Sequence, residues 1–141
     1  MRALKSQAGV MLIEALVGIL IFSIGILALI GMQGIAIKHT TDARYRSEAS
    51  FLATEVVGRM WADIGNLAKY DKDYGSAYAP RDDWVNKVAV TLPGIDLIAP
   101  ARKPTIEIGA GNEVTVTIEW RQPGESSDRK LVLVNRINGT T

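Results

Sequence analysis

The sequence predicts an α+β fold in which one long N-terminal helix packs on a small antiparallel sheet. From Ala15 to Met32, Ser23 is the only polar side chain, and a helical apolar period then continues to Ile64. After residue 104, apolar residues alternate with polar ones, which is typical of strands with one buried face. A long helix followed by strands indicates an α+β unit.

The apolar half of the helix has the length of a membrane span. A helix over residues 15–37 is about 34 Å long, close to the hydrocarbon thickness of a bilayer. Glu14 stands at its start. An acidic side chain at the centre of a membrane helix costs about 2.5–3.5 kcal/mol on insertion scales. We therefore expect Glu14 to have a partner or a function.

Residues 1–9 are short, polar and basic, as in the first region of a secretory signal peptide. The apolar run that follows is longer than the 7–15 residues of such a signal. It also begins with an acid, which an ordinary signal avoids. A plain signal anchor is the remaining alternative, and it leaves Glu14 without an explanation.

The second half of the helix is predicted to be amphipathic. Glu55 and Arg59 form a favourable i,i+4 pair on its polar side, worth about 0.3 kcal/mol. One continuous helix from Val10 to Ile64 is expected, with its outer half packed on a globular head. Its apolar stripe consists of Tyr45, Ala49, Leu52, Ala53, Val56, Met60 and Ile64.

The head begins with a predicted loop over residues 65–81. Asp82 or Asp83 is expected to cap a short helix that ends at Pro93-Gly94. Its buried face is predicted to contain Val85, Val88, Ala89 and Leu92.

Three antiparallel strands complete the predicted head. They are Thr105–Ile108, Glu113–Arg121 and Lys130–Ile137. The first two are joined by the turn-rich residues 109–112, which favour a hairpin. The sheet is expected to pack its apolar face on the stripe of the helix.

Composition and charge exclude several classes of function. The net charge is +1 and the basic residues are scattered among acids, so no nucleic-acid partner is expected. The chain has no cysteine and one histidine, His39. We therefore expect no Ser/His/Asp or Cys/His catalytic set and no His/Cys metal site. Asp71, Asp73 and Gly75 lack the spacing of a calcium loop. We expect no enzyme, no cofactor, no metal and no small-molecule substrate.

The segment from Gly9 to Val17, with the sequence Gly-Val-Met-Leu-Ile-Glu-Ala-Leu-Val, resembles the class III signal of type IV prepilins. The resemblance implies cleavage between Gly9 and Val10 by a prepilin peptidase. It also implies N-methylation of Val10 and an assembly role for Glu14, the fifth residue of the mature chain. Val10 and Met11 depart from the usual Phe-Thr.

Later segments resemble the PilV-type minor pilins of Gram-negative bacteria. The resemblance implies a type IV pilin-like fold and no catalytic activity. The implied location is the inner membrane, with the head in the periplasm, and then the assembled pilus on the cell surface. The implied partners are other minor pilins, the major pilin and a tip adhesin-type protein. The segments are 24–33, Ala49, Leu52-Ala53, Arg59-Met60, Asp83-Trp84-Val85, Leu92-Pro93-Gly94 and 114–120.

The expected organisation has three parts: a leader peptide over residues 1–9, a transmembrane and assembly helix over 10–37, and a periplasmic head over 38–141. The head includes the amphipathic part of the helix, to about residue 64. Two alternatives stay open. One is a minor pseudopilin of a type II secretion system, which shares the signal and architecture. The other is an uncleaved, membrane-anchored periplasmic binding domain.

Overall fold

The structure is a computed structural model that describes residues 8–98 and 102–138. It has the α+β layout expected from the sequence, a long N-terminal helix and a small three-stranded antiparallel sheet. The chain divides after Thr41 into two units. Most of the predicted leader, residues 1–7, lies outside the described residues.

Helix α1 (Ala8–Ala62) is a single element and ends two residues before the predicted boundary. In the first unit its side chains from Gly9 to Thr40 are exposed. In the second unit the predicted stripe is buried, apart from a half-buried Tyr45 and an exposed Ile64. Val57, which the stripe did not include, is buried as well.

The predicted loop after α1 is wrong in its first part, where Ile64–Tyr70 forms a 3₁₀ helix with a kink at Asn66. Asp63 explains this local structure. Its Oδ1 accepts a hydrogen bond from Asn66 Nδ2 at 2.7 Å, and its carbonyl oxygen accepts one from Asn66 N–H at 3.0 Å. These bonds satisfy polar groups at the end of α1 and turn the chain back.

Helix α2 (Ala79–Thr91) begins four or five residues earlier than predicted, since a cap at Asp82 or Asp83 places the first helical residue at 83 or 84. Tyr78 is the residue at the N-cap, and Pro80 in the first turn suits this position because it needs no N–H partner there. Asp82 acts from inside the helix, since its Oδ2 accepts the Tyr78 N–H at 2.9 Å. The predicted end is confirmed, because Leu92 is the C-cap and Gly94 has φ +70°.

The sheet has the order β1-β2-β3, with strands β1 (Thr105–Ile108), β2 (Glu113–Trp120) and β3 (Arg129–Arg136), all antiparallel. Strand β2 is one residue shorter than predicted because Arg121 N–H donates to Pro93 O at 3.0 Å instead of continuing the ladder. Strand β3 is shifted by one residue from its predicted range, and Arg129 pairs with Trp120.

One apolar core in the second unit joins α1, α2 and the inner face of the sheet. The alternation predicted for β2 is confirmed, since its four even-numbered residues are all buried. Trp84 and Trp120, the two largest buried side chains, come from α2 and β2. The fully buried side chains include Leu52, Val56 and Met60 of α1, Val88 and Leu92 of α2, and Ile106, Val114, Val116 and Ile118 of the sheet.

Candidate functional site

The candidate site is the part of α1 from Gly9 to about residue 18, which contains the predicted cleavage bond and Glu14. Gly9 and Val10 follow Ala8, the first described residue of α1, so the bond between them lies within the described helix.

The fold does not require a glycine at position 9. A Cβ added to Gly9 has no atom within 4 Å, and the neighbouring Val10 is 67% exposed. The same open space surrounds Gly18, Gly25, Gly31 and Gly34. Any need for glycine in this segment must therefore come from molecules that contact it and not from the chain itself.

Glu14 and Ser23 are the two polar side chains between Val10 and Met32, and they differ in their hydrogen bonding. Ser23 Oγ donates to the carbonyl oxygen of Ile19 at 2.7 Å, so its hydrogen-bonding need is met within the helix. Glu14 has no hydrogen bond or ion pair with any residue that the structure describes. A carboxylate cannot use the i−4 carbonyl in this way because it has no proton to donate.

The side chains around Glu14 are apolar and uncovered. Within residues 9–40, the exposed fractions reach 73% at Met11 and 68% at Phe22 and Met32. By length and composition, the helix is able to cross a membrane. A continuous apolar surface of this size is seldom left in contact with water and is typical of a segment that lipid or other subunits cover.

Val10 and Glu14 are four residues apart, so both lie on one side of the helix, about 6 Å apart along its axis. The carboxylate can act as a hydrogen-bond acceptor or as a counter-ion for a cation near the start of the helix. With no second titratable side chain between Val10 and Met32, this segment offers no acid–base pair.

In the head, Asp42 is the centre of a hydrogen-bond network that was not predicted from the sequence. Its Oδ1 accepts hydrogen bonds from Gln122 Nε2 at 2.7 Å and Arg129 Nε at 3.2 Å, and its Oδ2 accepts one from Arg46 Nε at 3.0 Å. Burial raises the pKa of Asp42, but the guanidinium groups of Arg46 and Arg129 outweigh it and hold the pKa below its ordinary value. The i,i+4 spacing of Asp42 and Arg46 was the only local signal of this network.

A second network surrounds Asp63. Its Oδ2 accepts a short hydrogen bond from the Tyr78 hydroxyl and a long one, 3.4 Å, from the Tyr70 hydroxyl. The two rings meet edge to face, with centroids 5.1 Å apart. The hydrogen bond from Tyr78, more than any other contact, lowers the pKa of Asp63. These residues join the end of α1 to the start of α2, and they have a structural role.

Asp71, in the segment that weakly resembles a calcium loop, also has a structural role. Both carboxylate oxygens of Asp71 accept backbone N–H groups, from Asp73 at 2.8 Å and from Ile108 at 2.7 Å. Among the described residues, no group of three or more His, Cys, Asp or Glu side chains is placed to hold a metal ion.

A cleft of about 400 Å³ lies between α2 and β1 in the head. Arg81 is its most buried cation, and all three of its guanidinium nitrogens donate hydrogen bonds. They bond to Asp82 and to the carbonyl oxygens of residues 69, 71 and 76. Arg81 therefore has mainly a structural role in this cleft.

The chain has no match among protein-family models, curated proteins or solved structures.

Proposed function

We propose that this chain is a minor pilin that takes part in the assembly and priming of a type IV pilus. The observation that carries the proposal is Glu14, which has no hydrogen-bond or ion-pair partner among the described residues and follows the Gly9-Val10 bond in an exposed apolar helix. The sequence around these residues resembles a prepilin signal. The α+β layout is compatible with a pilin-like fold, in which the outer half of the long helix packs on the sheet of the head.

Cleavage after Gly9 creates the missing partner of Glu14. Hydrolysis of the Gly9–Val10 peptide bond by a prepilin peptidase leaves a free amine on Val10, and N-methylation keeps that amine cationic. The amine and the carboxylate are then both located at the start of an apolar helix. Two opposite charges attract each other strongly in a medium of low dielectric constant, and this attraction offsets part of the cost of removing both from water.

In the assembled fibre, the amine of one subunit pairs with Glu14 of a neighbour while their apolar helices pack together. This pairing fixes the axial register, since an apolar surface alone is equally well buried at several offsets. Before assembly, the same helix holds the subunit in the inner membrane with the head in the periplasm. The partners are the peptidase, other minor pilins, the major pilin and a tip adhesin-type protein.

The experiment that tests this proposal is N-terminal mass spectrometry of the protein purified from its own host. A chain that starts at N-methylated Val10 supports a processed pilin-like subunit. A chain that starts at Met1 beside an active peptidase overturns the proposal and supports an uncleaved anchored domain. Incorporation into purified pili, as opposed to a secretion pseudopilus, distinguishes the two processed alternatives.

Gly9→Val is the matched variant for this measurement. Because a side chain at Gly9 meets no atom within 4 Å, the substitution leaves the fold of the chain intact. We expect a full-length protein that stays in the membrane uncleaved. Normal cleavage of this variant would contradict the assignment of Gly9 to the peptidase site.

A further inference from the structure

Strand β3 is an open edge of the sheet. It pairs with β2 over all eight of its residues, and in the order β1-β2-β3 no described strand lies on its other side. An unpaired strand edge presents a row of N–H and C=O groups that is able to bind another extended chain.

The strand register and two hydrogen bonds identify which residues form this edge. Gly109 N–H donates to Glu113 O, and Ile137 N–H donates to Asn112 O. In an antiparallel pair the bonded residues alternate, so these contacts direct the backbone of the odd-numbered β3 residues toward β2. The residues with outward backbone groups are therefore Lys130, Val132, Val134 and Arg136.

The opposite edge of the sheet, strand β1, is partly covered by another segment. Strand β1 has only four residues, and two of its outward backbone groups are bound by the loop that follows the 3₁₀ helix. Ile106 O accepts the Lys72 N–H at 2.8 Å, and Ile108 N–H donates to Asp71 Oδ2 at 2.7 Å. No described segment forms such bonds with the outward groups of β3.

Strand β3 also lacks the features that keep an edge from pairing. It contains no proline, its register with β2 has no bulge, and its centre, residues 131–134, carries no charge. Val132 and Val134 are 48% and 56% exposed, so the two central outward residues are uncovered and β-branched. This combination favours the addition of a strand.

Charge indicates what kind of strand fits. The edge has cations near both ends, Lys130 and Arg136, with side chains 56% and 61% exposed. Each cation pairs with one glutamate of β2, Lys130 with Glu119 at 3.0 Å and Arg136 with Glu113 at 3.6 Å, and more than half of each cationic side chain stays exposed. Symmetric pairing of a second copy of β3 around Leu133 would place Lys130 opposite Arg136 twice, which disfavours that register of a dimer.

We propose that β3 is a docking edge for an extended strand of a different protein, one with carboxylates about six residues apart and a β-branched centre. The docked strand extends the sheet through backbone hydrogen bonds to Val132 and Val134, and its acids pair with Lys130 and Arg136. This inference is independent of leader cleavage and of the role of Glu14.

A synthetic peptide with the sequence of β2, Glu-Val-Thr-Val-Thr-Ile-Glu-Trp, is a suitable probe because its glutamates have the required spacing. The full chain is placed in lipid nanodiscs, and binding of the fluorescently labelled peptide is followed by anisotropy against empty nanodiscs. We expect saturable binding and slower amide hydrogen exchange at Val132 and Val134. A peptide with lysine at both glutamate positions should bind about fivefold to tenfold more weakly.

Val134→Pro and Val134→Thr form the matched pair of variants. Proline removes an outward N–H that β2 does not use, and edge strands tolerate proline at such a position. Threonine keeps the N–H and the β-branch. We expect Val134→Pro to weaken peptide binding by more than about tenfold and Val134→Thr to change it little, with both melting temperatures close to that of the parent chain.

Three results would overturn the proposal. These are no binding at millimolar peptide, equal binding of the acidic and the lysine peptides, or binding that Val134→Pro does not weaken. Exchange protection confined to residues other than Val132 and Val134 would also count against it, because it would place the peptide on another surface.

Discussion

The indole nitrogen of Trp84 donates a hydrogen bond to the backbone carbonyl oxygen of Leu52 at 2.9 Å, and both side chains are buried. The bond joins α2 to α1 at the centre of the core. Tryptophan thus supplies apolar volume together with a donor that is satisfied without water.

Trp84→Phe removes this donor and leaves a small cavity. We expect it to lower the free energy of unfolding of the head by about 1–3 kcal/mol. Trp61→Phe is the control, since Trp61 is 45% exposed, and it should change stability by less than about 0.5 kcal/mol. Urea unfolding in detergent, followed by circular dichroism, measures both. Equal effects of the two variants would show that the Trp84 bond is unimportant.

Gly94 is required by close contact with Arg121. Its φ is +70°, and an added Cβ would lie 2.9 Å from both the Cβ and the carbonyl oxygen of Arg121. Gly111 has a similar φ of +68° but no atom within 4 Å of an added Cβ. We expect Gly111→Ala to cost about 1–2 kcal/mol from backbone strain alone and Gly94→Ala to cost clearly more.

Thermal unfolding of both glycine variants distinguishes strain from contact. If the two alanines cost the same, the Arg121 contact has no energetic consequence and the backbone conformation explains both.

The Asp63 network predicts acid sensitivity of the head. Its hydrogen bond with Tyr78 is the largest contribution to a lowered pKa in the folded state. The unfolded chain therefore takes up this proton at a higher pH than the folded chain does. The stability from Asp63 is present above the ordinary value of 3.8 and is lost as the pH falls through the lower, folded-state pKa.

Asp63→Asn and Tyr78→Phe should each be less stable than the parent chain near neutral pH and lose less of their stability on acidification. Urea midpoints across about pH 7 to pH 2 test this. A parent chain and an Asp63→Asn variant with parallel pH profiles would rule out the coupling.

Glu14→Ala should leave membrane insertion intact and lower incorporation into pili. Loss of one partner of a buried ion pair costs about 3–5 kcal/mol, so we expect at least about a tenfold decrease. Ser23→Ala is the control, because Ser23 is already satisfied by Ile19 O within the helix. Immunoblots of membranes and of sheared pili give the two quantities. Unchanged incorporation of the Glu14 variant would contradict the pairing mechanism.

Features that repeat over short distances were predicted correctly from the sequence. The i,i+4 pair of Glu55 and Arg59 is present at 2.7 Å, and the alternation of β2 gives its buried face. Predictions were incomplete or wrong where a distant group completes a local structure. Lys87 also bonds to Glu55, from α2, and the start of α2 depends on Tyr78 and Asp82 instead of a preceding acid.

The candidate site at Gly9, Val10 and Glu14 was accessible to sequence reasoning because it is contiguous and lies in one helix. The Asp42 network was not, since Gln122 and Arg129 reach it from 80 and 87 residues away. No periodicity in the sequence reports a contact of that kind.

The sequence by itself determined the long apolar helix, its amphipathic continuation and the three strands, because each follows from the period of neighbouring side chains. Only the tertiary structure decided which edge of the sheet is covered. Asp71 and Lys72 close the edge of β1, whereas β3 keeps its outward N–H and C=O groups free of described partners. The reason is physical: side-chain periodicity specifies which face is buried, but backbone groups at an edge are satisfied by whatever segment the folded chain brings beside them.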